Sequence, residues 1–150
     1  MKALIQRVDK ASVAVDGEIV GKIAQGLVVL VGVAAGDTEN DIDYIVDKIV
    51  NIRIFSDADD KFNLSVANIK GDLLVISQFT LLADVRKGRR PSFIAAAPPN
   101  EAEYLFNLLV KRLYSSGLKI NTGHFKKHMI IEIINNGPVT IMIDSKEKVI

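Results

Sequence analysis

The sequence predicts an α+β fold: a mainly antiparallel β-sheet with helices packed on one face. Three observations lead there. β-Branched and apolar runs crowd the opening of the chain and return near its end. Two segments, around Ile42 to Ile49 and Ala102 to Leu113, carry the i, i+3, i+4 apolar spacing of an amphipathic helix. The resulting order, β-β-β-α-β-β-α-β-β, is not the strict alternation that builds a parallel sheet with helices on both faces. A sheet with helices on one face needs a cover for the other, and a second subunit is the simplest one.

Each element has its own local cause. Ala3 to Val8 and Ser12 to Val15 are short β-branched runs. Asp16-Gly17 is a two-residue hairpin signal, because glycine accepts the positive φ such turns require, and Glu18 to Ile23 is the return strand. Leu27 to Val33 is apolar on both faces and reads as a central, doubly covered strand. Gly36-Asp37-Thr38 opens the first helix. Asp37 or Thr38 caps it, and Glu39, Asp41 and Asp43 set negative charge against the positive end of the dipole. Ile52 to Phe55 reads as a short strand, Ser56 to Asp60 as an acidic turn, and Leu73 to Leu81 as a strand entered from Gly71-Asp72. A polar stretch, Asp84 to Pro91, leads to the Pro98-Pro99 stop. The second helix runs from near Asn100 to near Gly117, with Ala102, Leu105, Phe106, Leu109 and Leu113 on one face. Met129 to Ile134 and Val139 to Ile143 are the last strands, and Asn136-Gly137-Pro138 between them is by default a hairpin turn.

Composition bounds the function. The 150 residues fit a single domain, 1–150, and 49% hydrophobic with 25% charged is ordinary for a soluble globular chain. No cysteine is present, which removes disulfides, thiolate nucleophiles and cysteine-held metals and agrees with a reducing compartment. Met1 to Arg7 turns charged too early for a signal peptide, and the apolar run Leu27 to Ala35 falls far short of the ~20 residues of a spanning helix. The expectation is a soluble, cytoplasmic protein with no membrane partner.

Most catalytic signatures fail. Gly17 to Lys22 lacks a spacer residue for a phosphate-binding loop, and Ile23 stands where Ser or Thr would hold magnesium. Asp57 to Phe62 starts like a calcium loop, but Phe62 occupies the glycine position, so a solvated turn is the better reading. His124 and His128 have the spacing to share a helix face, yet two histidines without a third ligand favour a polar or RNA-contacting role, and no metal or cofactor is expected. No Gly-x-Ser-x-Gly elbow exists.

Two features resist the bland reading. Residues 37–60 carry eight acids and two bases, net −6, which leaves +7 on the other 126 residues although the whole chain is only +1. Within that remainder Arg86, Lys87, Arg89 and Arg90 lie in five consecutive residues, either a solvated loop or a phosphate-facing surface. Separately, Ser77-Gln78-Phe79-Thr80 ends an apolar strand with polar side chains, a break of pattern of the kind that falls at functional sites.

These residues resemble a known family. Ser77-Gln78-Phe79-Thr80-Leu81 and Asn136-Gly137-Pro138-Val139-Thr140, with Met1 to Val8, Lys48 to Phe55, Asn63 to Val66 and Arg86 to Phe93, are similar to the bacterial and eukaryotic type of D-aminoacyl-tRNA deacylase over nearly the whole chain. The resemblance implies hydrolysis of the ester joining a D-amino acid to the 3′-terminal ribose of tRNA. It also implies a homodimer with two sites at its interface. In that picture a cis Gly137-Pro138, with Arg7 beside it, reaches into the partner's site next to Ser77 to Thr80, which displaces the hairpin-turn reading. Phe125 and Met129 match positions that pack on the terminal adenine, and the resemblance groups Arg7 with them as a contact to the tRNA 3′ end. Between them Lys126-Lys127 replaces the family's usual Gly-Ala.

The implied chemistry is coherent. A rigid wall rejects an L side chain while accepting many D side chains, which attractive contacts cannot do. Backbone N–H groups near Phe79 and Thr80 would stabilise the oxyanion, an effect worth about 3–4 kcal/mol per donor. Thr80 has no His or Lys base nearby in sequence, and the resemblance implies attack by water assisted by the ribose 2′-OH, with Thr80 positioning and a Thr80 nucleophile as the rival scheme. The same site would also accept mischarged glycyl-tRNA. The rival from another class is a dimer that sequesters tRNA acceptor ends without catalysis.

Overall fold

The computed structural model describes residues 1–147. Its axis is β1 (Lys2–Val15), which merges the two N-terminal runs into one strand of a six-stranded sheet. Along one edge β1 pairs antiparallel with β2 (Glu18–Ile23) and β3 (Gly26–Gly32). Ala11 faces Ile23 and Val8 faces Gly26, so the two strands keep one offset and form a single path broken at Ala24-Gln25. The first helix, α1 (Glu39–Asn51), follows β3, and then a small hairpin of β4 (Phe55–Ser56) and β5 (Phe62–Leu64) turns at the acidic segment. The chain re-enters the sheet as β6 (Asp72–Ser77), parallel to β3. After α2 (Pro99–Tyr114) it returns as β7 (Ile120–Thr122), parallel to β6. The last strand, β8 (Ile130–Asp144), runs antiparallel along the free edge of β1.

The sheet is therefore α+β and mostly antiparallel, with a parallel flank. Two crossovers, β3-α1-β6 and β6-α2-β7, create that flank. The β4–β5 hairpin and the three-residue β7 hide this alternation in the sequence order.

Both helices pack on the same face. Ile42, Ile45 and Ile49 of α1 and Leu105, Phe106, Leu109 and Leu113 of α2 join Ile5, Leu27, Val29, Leu73 and Val75 in the larger core. Each large side chain buried this way contributes roughly 1.5–3 kcal/mol. Arg112 ties α2 to α1, donating to the Glu39 carbonyl at 3.0 Å and to the Glu39 and Asp43 carboxylates.

The opposite face is not bare. Val8, Val13, Ile23, Val28, Leu30, Leu74 and Ile76 bury one another there. The sheet curls until β7 meets β2, and Asn121 Nδ2 donates to the Lys22 carbonyl at 3.0 Å. A second subunit is thus not needed merely to cover that face, although Leu4, Val20, Ile131 and Ile133 fringe it only half-buried.

The start of β1 and the end of β8, side by side in the sheet, are pinned by a buried polar cluster. The Met1 ammonium donates to Asp37 and to Ser145 Oγ, both at 2.7 Å, and Ser145 Oγ donates to Asp41 at 2.7 Å. Burial raises the Asp41 pKa. Hydrogen bonds from Ser145, Thr38 and Lys146 outweigh it and hold that carboxyl well below the usual carboxylate range.

Candidate active site

The site begins where β6 ends. The Gln78 N–H still donates to the Val31 carbonyl at 2.7 Å, as a strand residue would. The chain then winds into a 3-10 turn over Phe79–Leu82, closed by Leu81 N–H to Gln78 O and Ala83 N–H to Thr80 O. The strand predicted to reach Leu81 therefore stops at Ser77, at the polar break itself. In such a turn the first N–H groups have no partner within the helix, so those of Phe79 and Thr80 are left unused by the turn at the end of the strand. Gln78 Nε2 donates to Thr80 Oγ1 at 3.1 Å. An amide donor cannot take a proton from a hydroxyl, so this contact orients Thr80 without activating it.

Beyond the carboxyl ends of the parallel strands β3 and β6 lies a cleft of about 450 Å³. Ligands favour this location in sheets with parallel strands. Ser77, Phe79, Phe125 and Met129 line it together, over small residues that include Ala96, Ala97 and Ala102. Both rings are braced. Phe79, although 56% exposed, meets Phe93 edge-on at 5.0 Å, and Phe125 lies 6.3 Å from Phe106 of α2. Lys126, Lys127 and His128, with Ser77, form the polar part of the lining. His124 and His128 flank a turn rather than sharing a helix face. Lys126 supplies the left-handed backbone of that turn, with φ 62.

The second motif lies elsewhere. Gln6 pairs with Thr140 and Val8 with Asn135, so one β1 residue, Arg7, faces the four residues 136–139. The segment predicted as two strands around a hairpin turn is one strand, β8, with a bulge in its middle. Gly137-Pro138 is cis and exposed at its crest. Side chains grip the bulge from below. Arg7 donates to the Asn136 carbonyl at 2.9 Å and the Ile54 carbonyl at 2.8 Å, and its guanidinium lies 5.2 Å from the centre of the Phe62 ring. Asn135 closes the base, accepting from Val139 N–H at 2.8 Å and donating to Thr140 Oγ1 at 3.0 Å, while Asn136 donates to Asp9 at 2.7 Å. Glycine is required at 137: φ is 141, and a Cβ there would stand 2.6 Å from Val139 Cγ2 and 2.9 Å from the Val139 nitrogen.

Within one chain the two motifs do not meet. Across the sheet Ser77 is level with Val31, Ala3 and Ile143, which puts Pro138 roughly 20 Å away by strand spacing and residue rise. Arg7 and Asn136 line a separate, polar cleft of about 320 Å³. Arg7 accordingly stands with Gly137 and not with Phe125 and Met129.

The basic loop is exposed and closed at its base by the Asp84–Ser92 bridge. Arg86 hydrogen-bonds to Asp84 at 2.7 and 2.9 Å, and its guanidinium holds the Asp84 carboxyl at about 2. Lys87, Arg89 and Arg90 have no ion pair among the described residues, so three of the four cations face solvent.

Sequence reasoning placed Arg7 beside the bulge but missed the floor of the cleft and the asparagine clamps. The run Ala95-Ala96-Ala97 before Pro98-Pro99 was a legible sign of a place where bulk is excluded. Asn135 and Asn136, beside a glycine, signalled local side-chain-to-backbone bonding.

Comparison with known proteins places the chain firmly. The family model described as D-Tyr-tRNA(Tyr) deacylase matches residues 4–144. A D-aminoacyl-tRNA deacylase of Dehalococcoides mccartyi is 55% identical over 148 residues, covering 99% of this chain and 97% of the relative. One from Natranaerobius thermophilus is 57% identical over 149 residues, covering 99% of each. Among solved structures, the c-Myc DNA Unwinding Element Binding Protein superposes with a TM-score of 0.91 at 39% identity, covering 96% of this chain and 98% of that one. A structure described as a probable eukaryotic D-amino acid tRNA deacylase gives 0.83 at 16% identity over 95% and 97%, a likeness of fold.

Proposed function

The chain belongs to the D-Tyr-tRNA(Tyr) deacylase family, the hydrolases that cut the ester of D-aminoacyl-tRNA, and we propose that it does so in the cleft at the end of β6. One observation carries this reading. A single cleft brings the Ser77-Phe79 corner together with Phe125 and Met129, in a volume suited to a nucleoside bearing a small acyl group.

The terminal adenine packs between Phe125 and Met129, which leaves the 3′-ester at the corner of the 3-10 turn. Water attacks the ester carbonyl carbon. The N–H groups of Phe79 and Thr80 stabilise the oxyanion, and Thr80 positions the substrate. The ribose 2′-OH passes the proton of the attacking water to the departing 3′-oxygen. The products are the free D-amino acid and tRNA with its 3′-hydroxyl restored.

Chirality is decided by exclusion. Gly137-Pro138 presents fixed backbone, and an L side chain directed at it clashes, whereas a D side chain points to open space. A glycyl ester, having no side chain, passes the same filter. The separation of Gly137-Pro138 from Ser77 within one chain supports a homodimer in which each bulge serves the partner's cleft. Exposed Ile130, Ile134 and Met142 on β8 supply apolar surface for such an association. Lys87, Arg89 and Arg90 face the phosphates of the acceptor stem. The place of action is the cytoplasm, where charged tRNA is used; no helix among the described residues is long and apolar enough to cross a membrane.

The test is time-resolved release of D-tyrosine and L-tyrosine from charged tRNA by the purified protein. The expected result is release of D-tyrosine with the L-ester spared. A protein that binds charged tRNA and releases neither would instead be the sequestering dimer.

A further inference from the structure

The cleft carries two cations that hydrolysis of the ester does not use. Lys126 and Lys127 line it directly, and none of its lining residues is acidic. Neither lysine has an ion pair or a side-chain hydrogen bond among the described residues. Both lysines are exposed, so solvent screens most of their mutual repulsion, but together they set unpaired positive charge at the mouth of an apolar cleft, where an anion would be attracted. Lys126 also carries a cost. Its φ of 62 lies in the left-handed region, where a long side chain gains nothing locally and glycine would be free of strain. Adenine is uncharged and needs neither lysine. The nearest anion to an adenosine seated on Phe125 and Met129 is the phosphate on its own 5′-oxygen.

We propose that Lys126 and Lys127 form a phosphate subsite that holds the 5′-phosphate of the 3′-terminal nucleotide. This deepens the deacylase reading and rests on it for the seating of the adenosine. The subsite fixes the nucleotide at both ends, base between Phe125 and Met129 and phosphate on the rim. The ester is thereby aimed without help from the amino acid, whose side chain varies.

The experiment is calorimetric binding of adenosine and of adenosine 5′-monophosphate to the intact protein at low salt, with D-aminoacyl-tRNA hydrolysis measured on the same preparation. The wild type should bind the monophosphate about tenfold more tightly than the nucleoside, and added salt should erode the preference. In the double variant Lys126→Gly, Lys127→Ala the ratio should fall to near one, and Lys126→Arg, Lys127→Arg should restore most of it. Glycine suits the backbone at 126, so loss of fold is not the expected outcome, and an unchanged affinity for adenosine checks it. A wild type without preference, or a double variant that keeps it, overturns the subsite. An intact preference without hydrolysis overturns the deacylase reading and leaves the subsite standing.

Discussion

The cleft at the end of β6 and the bulge in β8 solve opposite problems with opposite materials. The cleft is built by packing: braced aromatic rings, small residues and a core strand that stops at a polar break. It leaves room, and in the proposed mechanism the groups that act there are backbone N–H groups and the substrate's own hydroxyl. The bulge is built by hydrogen bonds. Arg7, Asn135 and Asn136 spend their polar atoms on holding four residues in one shape, and the residues at its crest, Gly137 and Pro138, offer no functional group. Under the proposed mechanism, one half of the site is permissive toward D side chains and the other half is rigid.

The largest effect should come from the substrate on the cleft side. A D-aminoacyl ester on a tRNA ending in 2′-deoxyadenosine should be cleaved about 100-fold more slowly, because the proton relay is lost. Thr80→Ala should keep rates within about tenfold of wild type in single-turnover assays. A deep loss there, with the deoxy substrate cleaved normally, would exchange the two roles and make Thr80 the nucleophile.

On the bulge side the pattern should invert, with discrimination failing before rate. Gly137→Ala forces a Cβ against Val139 at an unfavourable φ and should destabilise by about 1–3 kcal/mol in urea unfolding. It should also narrow the gap between D- and L-tyrosyl-tRNA hydrolysis. Arg7→Ala leaves the Asn136 and Ile54 carbonyls without their charged donor and should cost about 1–2 kcal/mol, with a smaller loss of discrimination.

The effect furthest from either half of the site, and the one read through pH, should come from the cluster that anchors the end of β8. Asp41 is held below its ordinary value of 3.8, so its contribution is present above that pH and is withdrawn as pH falls toward the folded value. Thermal unfolding followed from pH 7 down to about pH 3 should show stability declining at the acid end, and Asp41→Asn should flatten that decline.

How far the sequence revealed this contrast follows from the same physics. Packing leaves a pattern: the stripes of α1 and α2, the continuous apolar run of β3 and the polar break at Ser77 were all legible as periodicity or its interruption. The parallel flank was not. It depends on the three-residue β7 and on a crossover that the β4–β5 hairpin interrupts. The bulge was illegible as a bulge, because Asn136-Gly137-Pro138 carries the local signals of a turn, and only pairing with β1 keeps the chain running straight through it. The resemblance of motifs corrected that reading where periodicity could not. The basic loop was overcounted by one charge, since Arg86 is committed to Asp84 two residues away.

If each bulge serves its partner's cleft, the wall and the cleft of one working site come from different chains. Mixed dimers isolated through two affinity tags decide this. One chain carries Pro138→Ala with its cleft intact, and the other carries Ala96→Trp, which fills its cleft, with its bulge intact. In the mixed dimer the one open cleft then meets the partner's intact bulge. D-tyrosyl-tRNA should be cleaved and L-tyrosyl-tRNA spared, as in wild type, while the Pro138→Ala homodimer cleaves both. If the mixed dimer cleaves L-tyrosyl-tRNA as readily as the Pro138→Ala homodimer does, the wall acts within its own chain and the claim is wrong.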